Sequence, residues 1–126
     1  MDYSQLSDFE INVAVFEAIH NGSPDYKEGE NGDMVFVSFE GDIVNGDAVE
    51  VEVERGSFNP CANPSDAEPI IVEKRIGIIP APENGLWKAA HRKVGSDSTP
   101  YHMTQDENPL RAAMIVFLMM QDANNA

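Results

Sequence analysis

The first apolar pattern along the chain is helical, with hydrophobic residues three and four positions apart between residues 7 and 20. These residues are Phe9, Val13 and Phe16, with Ile19 or His20 as the fourth. Ser7 and Glu10 stand at the spacing of a capping box, in which each side chain bonds the backbone amide of the other residue. Asn21-Gly22 is typical of the left-handed turn that ends a helix. The pattern therefore predicts a helix that buries the face carrying these residues.

The second pattern is a strict alternation of valine and glutamate in residues 49–54, which is the period of a β-strand. The β-rich residues 34–39 precede it, and Asn45-Gly46 between the two segments favours a type I′ hairpin. The alternation predicts a ribbon with one face on a core and the other in water. Its acidic row consists of Glu50, Glu52 and Glu54.

The charge density of this row bears on its interpretation. Successive glutamates lie about 6.8 Å apart, whereas one strand of B-DNA carries a charge about every 3.4 Å. The neighbouring strand would have to fill the gaps with Asp33, Glu40 and Asp42. Two interpretations stay open: a mimic of nucleic-acid charge, and a solvated strand face that discourages edge pairing.

The second half of the chain predicts a short helix and a second hairpin. Residues 56–60 indicate a break, after which Ser65 and Glu68 stand at capping-box spacing. Pro69 would lie in the first turn of this helix, and Gly77 would end it. A hairpin follows over residues 78–90 with Trp87 on its second strand, and a short strand is expected around residues 101–103.

The last predicted element is a strongly apolar helix. Asn108 is its N-cap, Pro109 its first residue, and residues 110–121 are apolar almost all round apart from Arg111. Such a helix should be the most buried element. Burial within the monomer and pairing across the two-fold axis of a homodimer both stay open.

Together these elements predict an α+β fold, a small single-domain sandwich of about three helices on a mostly antiparallel β-sheet with hairpins. The length of 126 residues suits one domain over residues 1–126, with residues 24–56 as an acidic hairpin insertion.

The charge is strongly acidic and unevenly distributed. The chain carries 22 acids and 8 bases for a formal net charge of −14, and residues 1–60 hold 14 of the acids with only Lys27 and Arg55 as bases. This surface would repel nucleic acid and anionic membranes, and would attract a basic face of a protein. The uncharged run at residues 112–121 is about half the length that a bilayer span needs.

Catalytic and metal-binding patterns are absent from the sequence. His20, His91 and His102 are scattered, and a calcium loop that starts at Asp25 would place Lys27 at a ligand position. Neither a phosphate-binding loop nor a cofactor motif occurs, so we predict no enzyme, no metal and no cofactor. Cys61 is the single cysteine, which fits a reducing cytoplasm, and we interpret it as a half-buried residue in a turn.

Several local motifs, in this order and spacing, resemble the NinX family of small proteins from lambdoid phages and prophages of enteric bacteria. The motifs are Ser4-Gln5-Leu6, Phe58-Asn59-Pro60-Cys61, Ser65-Asp66-Ala67 with Pro69-Ile70-Ile71, Trp87-Lys88-Ala89 and Asn108-Pro109-Leu110-Arg111 with Ala112-Ala113-Met114. The resemblance also extends to phage αβα-sandwich domains. It implies an α/β fold and the cytoplasm of an infected bacterium, but no reaction. It is weakest between residues 23 and 57.

Most of these motif residues have a structural explanation. Pro60 with Asn59 suits a turn, Ser65 and Asp66 suit a helix cap, and Pro109 suits a helix start. Arg111 is less easily explained, because a cation in the first turn of an apolar helix opposes the helix dipole.

Two roles for Arg111 are therefore open. One is a buried ion pair with Asp66 or Glu68. The other is an anion or nucleotide-like ligand in a pocket near Asn59, Trp87 and Arg111, with Trp87 as the stacking surface.

Two functional hypotheses follow. The first is a non-enzymatic phage accessory protein that binds a protein partner through its acidic surface, without contacting nucleic acid or membrane directly. A basic nucleic-acid-processing factor of the host or the phage is a candidate for that partner. The acidic residues of that surface are Glu40, Asp42, Glu50, Glu52 and Glu54. The alternative is a small-ligand-binding protein that uses the pocket near Arg111.

Overall fold

The computed structural model describes residues 2–91 and 102–125. Within these residues, a 3₁₀ turn, three helices and six strands follow one another. They are the 3₁₀ turn Tyr3–Gln5, α1 Asp8–His20, β1 Tyr26–Glu28, β2 Met34–Val44, β3 Asp47–Phe58, α2 Pro64–Lys74, β4 Gly77–Pro80, β5 Trp87–His91, β6 His102–Asp106 and α3 Pro109–Asn125.

The strands form two antiparallel sheets, in the orders β1-β2-β3 and β4-β5-β6. Helix α3 contacts β5 and β6 of the second sheet as well as α1 and α2, and α1 in turn contacts β2. The predicted α+β class is therefore confirmed. No helix within residues 2–91 and 102–125 has the length and apolar character that crossing a membrane requires.

Helix α1 begins and ends where the sequence predicts. The Ser7 hydroxyl accepts a bond from the Glu10 amide (3.1 Å), and the Glu10 carboxylate accepts one from the Ser7 amide (3.0 Å). Asn21 adopts the left-handed conformation with φ of 57°. The predicted buried face is wrong, however, because the helix lies between α3 and the first sheet. Its buried residues are Ile11, Asn12 and Val15.

The aromatic residues of α1 pack at the boundary with the first sheet. The Phe16 ring lies 5.0 Å from that of Phe36 and 5.5 Å from that of Phe58 between centroids. Phe9 and Tyr26 form a further pair at 5.9 Å. These rings are only partly buried, since they lie at the edge of the core and not in its centre.

The first hairpin has the predicted turn. Asn45 and Gly46 both have positive φ (54° and 85°), as a type I′ turn requires. The predicted break at residues 56–60 is wrong in its start, because β3 runs on through Phe58. A bulge makes this continuation possible: Arg55 is an extra residue opposite the Phe36/Val37 step, and Gly56 takes a φ of 134°.

Helix α2 has a different cap and a different end from those predicted. Asn63 is the N-cap, and its side chain accepts a bond from the Ser65 amide, so Ser65 and Pro64 lie inside the helix. Pro69 therefore falls in the helix interior and not in the first turn. The helix ends at Lys74 because Arg75 takes the left-handed conformation (φ 57°), two residues before the predicted stop.

The second sheet confirms the predicted hairpin, with Trp87 as the first residue of its second strand. The next strand, β6, extends further toward the C-terminus than expected; Tyr101, at the start of the predicted strand, lies outside the described residues.

Helix α3 is the most buried element, as predicted. The Asn108 side chain accepts bonds from the amides of Leu110 (2.9 Å) and Arg111 (3.3 Å), and Pro109 is the first helical residue. Every residue from 112 to 118 is buried. The core that these residues build includes Ile11 and Val15 of α1.

The N-terminal turn is tied to the end of α3 through Tyr3. Its hydroxyl donates to the Asp122 carboxylate, and its ring is 9% exposed. Burial, together with the bond to Asp122 and the negative charge of that residue, raises the pKa of Tyr3 from 10.0 to about 12. The folded chain therefore favours the neutral phenol more strongly than the unfolded chain does.

This shift predicts an alkaline loss of stability. The contribution of Tyr3 is fully present below pH 10 and disappears as the pH rises through the folded pKa of about 12. Urea unfolding between pH 8 and 12 measures this contribution. At pH 8 we expect Tyr3→Phe to be less stable than the wild type by about 1–2 kcal/mol. The difference should shrink toward pH 12. A difference that stays constant over this range would contradict the assignment.

Candidate functional site

The outer part of the first hairpin carries the most exposed continuous surface in the described chain. All fourteen residues from 39 to 52 are exposed, and we call this segment the distal hairpin. It contains five acids and no base. A ribbon of two strands gains little stability by itself, so its length is not explained by the fold.

The register places the predicted acidic residues on both faces of the ribbon. Residues directly opposite each other in an antiparallel pair share a face. Glu52 and Glu54 lie opposite Phe39 and Val37, and Glu50 lies opposite Gly41.

The two acids of the neighbouring strand β2 face the opposite way. Glu40 lies opposite Val51 and Asp42 opposite Val49. The expectation that Asp33, Glu40 and Asp42 fill the gaps between the glutamates is therefore wrong, since Asp33 also precedes β2, which begins at Met34. The row does not reach the charge density of a nucleic-acid strand, which removes the basis for mimicry.

Neither face of the distal hairpin lies on a core, so the predicted division into a buried and a solvated face is wrong. One face carries Phe39 and Ile43, whose exposures are 54% and 74%. The other carries Val44, Val49 and Val51, all more than a third exposed. Each face thus combines acidic and large apolar side chains.

Sequence reasoning placed Val49 and Val51 on a buried face and gave no role to Phe39, Ile43 and Val44. A signal was present, since β2 has apolar side chains at the odd positions Phe39 and Ile43 and also at the even position Val44. A strand with only one buried face would not need this pattern.

The ion pairs of the ribbon are concentrated near its base. Lys27 of β1 contacts Glu52 and Glu54, each at 3.0 Å, and Arg55 pairs with Glu40. The bonds that Lys27 donates to these two glutamates raise its pKa. Within the described residues, Asp42, Asp47 and Glu50 take part in no ion pair, so the outer half keeps its negative charge.

Arg111 lies in a site that the chain itself fills. Its Nε donates to Asp106 (3.0 Å) and its Nη1 to Asp8 (2.6 Å), while Nη2 donates to the carbonyls of Ser4 (3.2 Å) and Leu6 (2.7 Å). The predicted pairing with Asp66 or Glu68 is wrong. Burial opposes the charge of Arg111, but the bonds to the two aspartates outweigh it and raise its pKa.

Asn59 is likewise engaged within the chain. Its Oδ1 accepts from Asn12 (2.8 Å), its Nδ2 donates to the Asn31 carbonyl (3.3 Å) and its amide donates to Asp66 (2.9 Å). Asp66 thus holds the turn before α2, and does not act as the helix cap. Pro60, the next residue in the turn, is buried.

Trp87 lies elsewhere. It lines a shallow cavity under the β4–β5 turn whose walls are residues 80–87 and include neither Asn59 nor Arg111. The structure therefore places the three residues of the predicted ligand pocket in separate environments.

A groove of about 490 Å³ lies where α1, α2 and α3 meet. Ile70 and Phe117 are among its apolar walls, and Asp66, Glu73 and Lys74 are among its polar ones. None of the residues proposed from the sequence as ligand contacts lines it. In the part of the chain that the structure describes, no three His, Cys, Asp or Glu side chains converge to hold a metal ion.

Cys61 lies in a turn, as predicted, but it is completely buried and not half-buried. Burial, reinforced by the negative charge of Asp8, raises the pKa of its thiol to about 12. Because the thiolate is the reactive form, this cysteine should be inert in the folded chain.

The inertness can be measured with a colorimetric disulfide reagent at pH 8. We expect the native chain to react at least about 100-fold more slowly than the same chain in urea. As a control, Ser65→Cys adds a cysteine at an exposed position and should react at once. Rapid reaction of one equivalent in the native wild type would contradict the burial of Cys61.

Comparison with known proteins supplies the identity. The family model described as Bacteriophage P22, NinX matches residues 2–121, a range that includes the distal hairpin and nearly all of α3. No curated protein matches the chain. Because one family model covers almost the entire sequence, the chain belongs to the NinX family, which makes it a phage accessory protein.

Proposed function

We propose that this chain is a protein-binding module whose contact surface is the distal hairpin. One observation carries the proposal: fourteen consecutive residues are exposed on both faces, and five of them are large apolar side chains. Apolar residues grouped on a projecting element typically mark an interaction site. A hairpin that served only as a solvated spacer would have polar side chains at these positions.

The charge of the hairpin indicates the kind of partner. Acidic residues surround the apolar ones, and the outer acids lack ion pairs among the described residues. A complementary surface would have an apolar centre and a rim of Lys or Arg. Such complementarity accelerates association and makes it sensitive to salt.

The alternative, a small-ligand protein, has less support. All the nitrogens of Arg111 donate to protein groups, and the Asn59 side chain is bonded to Asn12 and Asn31. A ligand at Arg111 would have to displace carboxylates that already neutralise it.

The proposal is tested by capture from a lysate of an enteric bacterium with the immobilised chain. We expect Phe39→Ser combined with Ile43→Ser to lose a partner that the wild type retains. The matched control is Val72→Ser with Ile79→Ser, which removes two apolar side chains of similar exposure (67% and 56%) from the body. Retention by the control and loss by the hairpin variant support the proposal. Equal retention by both contradicts it.

The charge contribution has its own variant. Asp42→Lys with Glu50→Lys reverses two unpaired charges on the hairpin, whereas Glu73→Lys with Glu83→Lys makes the same change in net charge elsewhere. We expect only the hairpin variant to weaken association and to reduce its dependence on salt. Equal effects of the two variants would show that net charge, and not this surface, governs association.

A further inference from the structure

The first sheet is incomplete along its β2 edge. Strand β1 pairs with β2 only opposite Met34, Val35 and Phe36. One further bond follows, from the Val37 amide to the carbonyl of Asp25 (3.0 Å), the residue before β1 begins. Strand β2 then continues through Val44. In the described part of the chain, no third strand lies beside residues 38–44.

The direction of the backbone groups on this edge follows from Val37. Successive amides of a strand point to opposite edges of the sheet, and that of Val37 points toward β1. The amides and carbonyls of Phe39, Gly41 and Ile43 therefore point to the open edge. The Ile43 amide already donates to its neighbour Asp42 (2.8 Å), which leaves those of Phe39 and Gly41 available.

The face of the ribbon beside this edge is also uncovered at Gly41. A Cβ added there would meet no atom within 4 Å, and glycine within a strand often marks the close approach of a second chain. A cavity of about 500 Å³ lies where β1 begins, beside this edge. Pro24, Val37 and Phe39 are among its walls, and it could receive a side chain of an added strand.

We propose that an extended segment of the partner adds to β2 as a third strand beside residues 39–43. This inference rests on the proposed function and specifies how the hairpin binds. The incoming side chains would lie beside those of β2, where Phe39 and Ile43 stand on one face of the ribbon and Glu40 and Asp42 on the other. The structure therefore fits a segment in which Lys or Arg alternates with β-branched residues.

A second copy of this chain is a poor occupant of the same edge. Its hairpin would bring five acids and no base against an identical set, and like charges opposite each other destabilise a strand pair. A basic segment removes this repulsion.

The first test uses amide hydrogen exchange of the wild-type chain with a synthetic probe, an eight-residue peptide of alternating Lys and Val. In the free chain we expect fast exchange at Phe39 and Gly41 and slow exchange at Ser38 and Glu40. Saturating peptide should slow exchange at Phe39 and Gly41 at least about 10-fold. A peptide of alternating Glu and Val is the control and should have no effect.

The second test uses proline to remove an outward-pointing amide from either edge. Gly41→Pro removes it from β2, and Ala48→Pro removes it from β3, whose amide at this position points away from β2. We expect Gly41→Pro to weaken peptide binding at least about 10-fold, and Ala48→Pro to leave it unchanged. Gly41→Val keeps the amide and serves as the check that a folded ribbon still binds.

Two outcomes overturn the inference: no slowing of exchange at Phe39 and Gly41, or slowing at Ala48 and Glu50 of the β3 edge instead. If either outcome occurs while the Phe39→Ser, Ile43→Ser variant loses the captured partner, strand addition is rejected and the proposed function stands. If that variant keeps its partner, the proposed function itself is wrong.

Discussion

Replacing Arg111 with methionine is expected to destabilise the chain by about 3 kcal/mol, because it removes the cation of a partly buried charge network that it holds with five hydrogen-bond donors. Methionine keeps the apolar stem of the side chain and removes every donor. Asp8 and Asp106 would then face each other's charge without the guanidinium, and the carbonyls of Ser4 and Leu6 would lose their donor. The Arg111 side chain is only 13% exposed, so water replaces these bonds poorly.

Urea unfolding measures this loss, and Arg55→Met is the matched control. Arg55 pairs with Glu40 on the ribbon, where both side chains are about half exposed. Exposed ion pairs contribute little, so we expect a loss of at most about 1 kcal/mol for the control. An Arg111→Met chain that is as stable as the control would contradict the structural role of this network.

Replacing Asn12 with aspartate should cost at least about 3 kcal/mol, since it places a charge in the core where the Cys61 amide would be its one remaining donor among these contacts. Asn12 is completely buried. Its Nδ2 donates to the Gly32 carbonyl (2.9 Å) and to Asn59 Oδ1 (2.8 Å), and its Oδ1 accepts from the Cys61 amide (3.1 Å). Aspartate has the same shape, but it would direct a carboxylate oxygen at two acceptors.

The same substitution at Asn63 provides the control. Asn63 is the exposed N-cap of α2, a position at which aspartate caps a helix as well as asparagine does. Thermal unfolding should therefore show a large drop for Asn12→Asp and little change for Asn63→Asp. Similar stabilities of the two variants would contradict the role assigned to Asn12.

The elements that the sequence predicts correctly are those with a local cause. The capping box of Ser7 and Glu10, the Asn45-Gly46 turn and the Asn108-Pro109 helix start each depend on residues a few positions apart. Hydrogen bonds and backbone preferences over such distances need no tertiary contact, so a short stretch of sequence indicates them.

The errors concern contacts between distant parts of the chain. The sequence marks Arg111 as unusual, but its partner Asp8 is 103 residues away. The spacing of the nearer acids Asp66 and Glu68 does not distinguish them from the true partners. Asn12 was missed because a polar residue on an otherwise apolar face weakens the periodic signal on which the helix face was predicted. Only the packed structure shows that Cys61 and Asn59 are its partners.

The ribbon was assigned correctly as a hairpin, yet its surface was assigned wrongly. Alternation predicts which residues share a face of one strand, but the register of the neighbouring strand decides what lies beside them. The turn at Asn45-Gly46 sets that register and places Glu40 and Asp42 opposite valines. Whether a face is buried depends on the length of the ribbon relative to the body, which no local pattern encodes.

Binding through the distal hairpin is best measured with a shortened chain in which the turn is moved toward the body. Ser38 and Val53 lie directly opposite each other, as do Val44 and Asp47, which flank the turn. The two pairs are six residues apart on each strand, so they share a face of the ribbon and the same hydrogen-bonding pattern. Asn-Gly can therefore join Ser38 to Val53 directly, with residues 39–44 and 47–52 removed.

Thermal unfolding and capture from lysate are then compared for the shortened and the full chain. Since every removed residue is exposed, we expect the shortened chain to fold with a similar melting temperature and to lose the captured partner. A shortened chain that still captures the partner would contradict the account, because binding would then lie on the body. So would one that fails to fold, because the distal hairpin would then be part of the core.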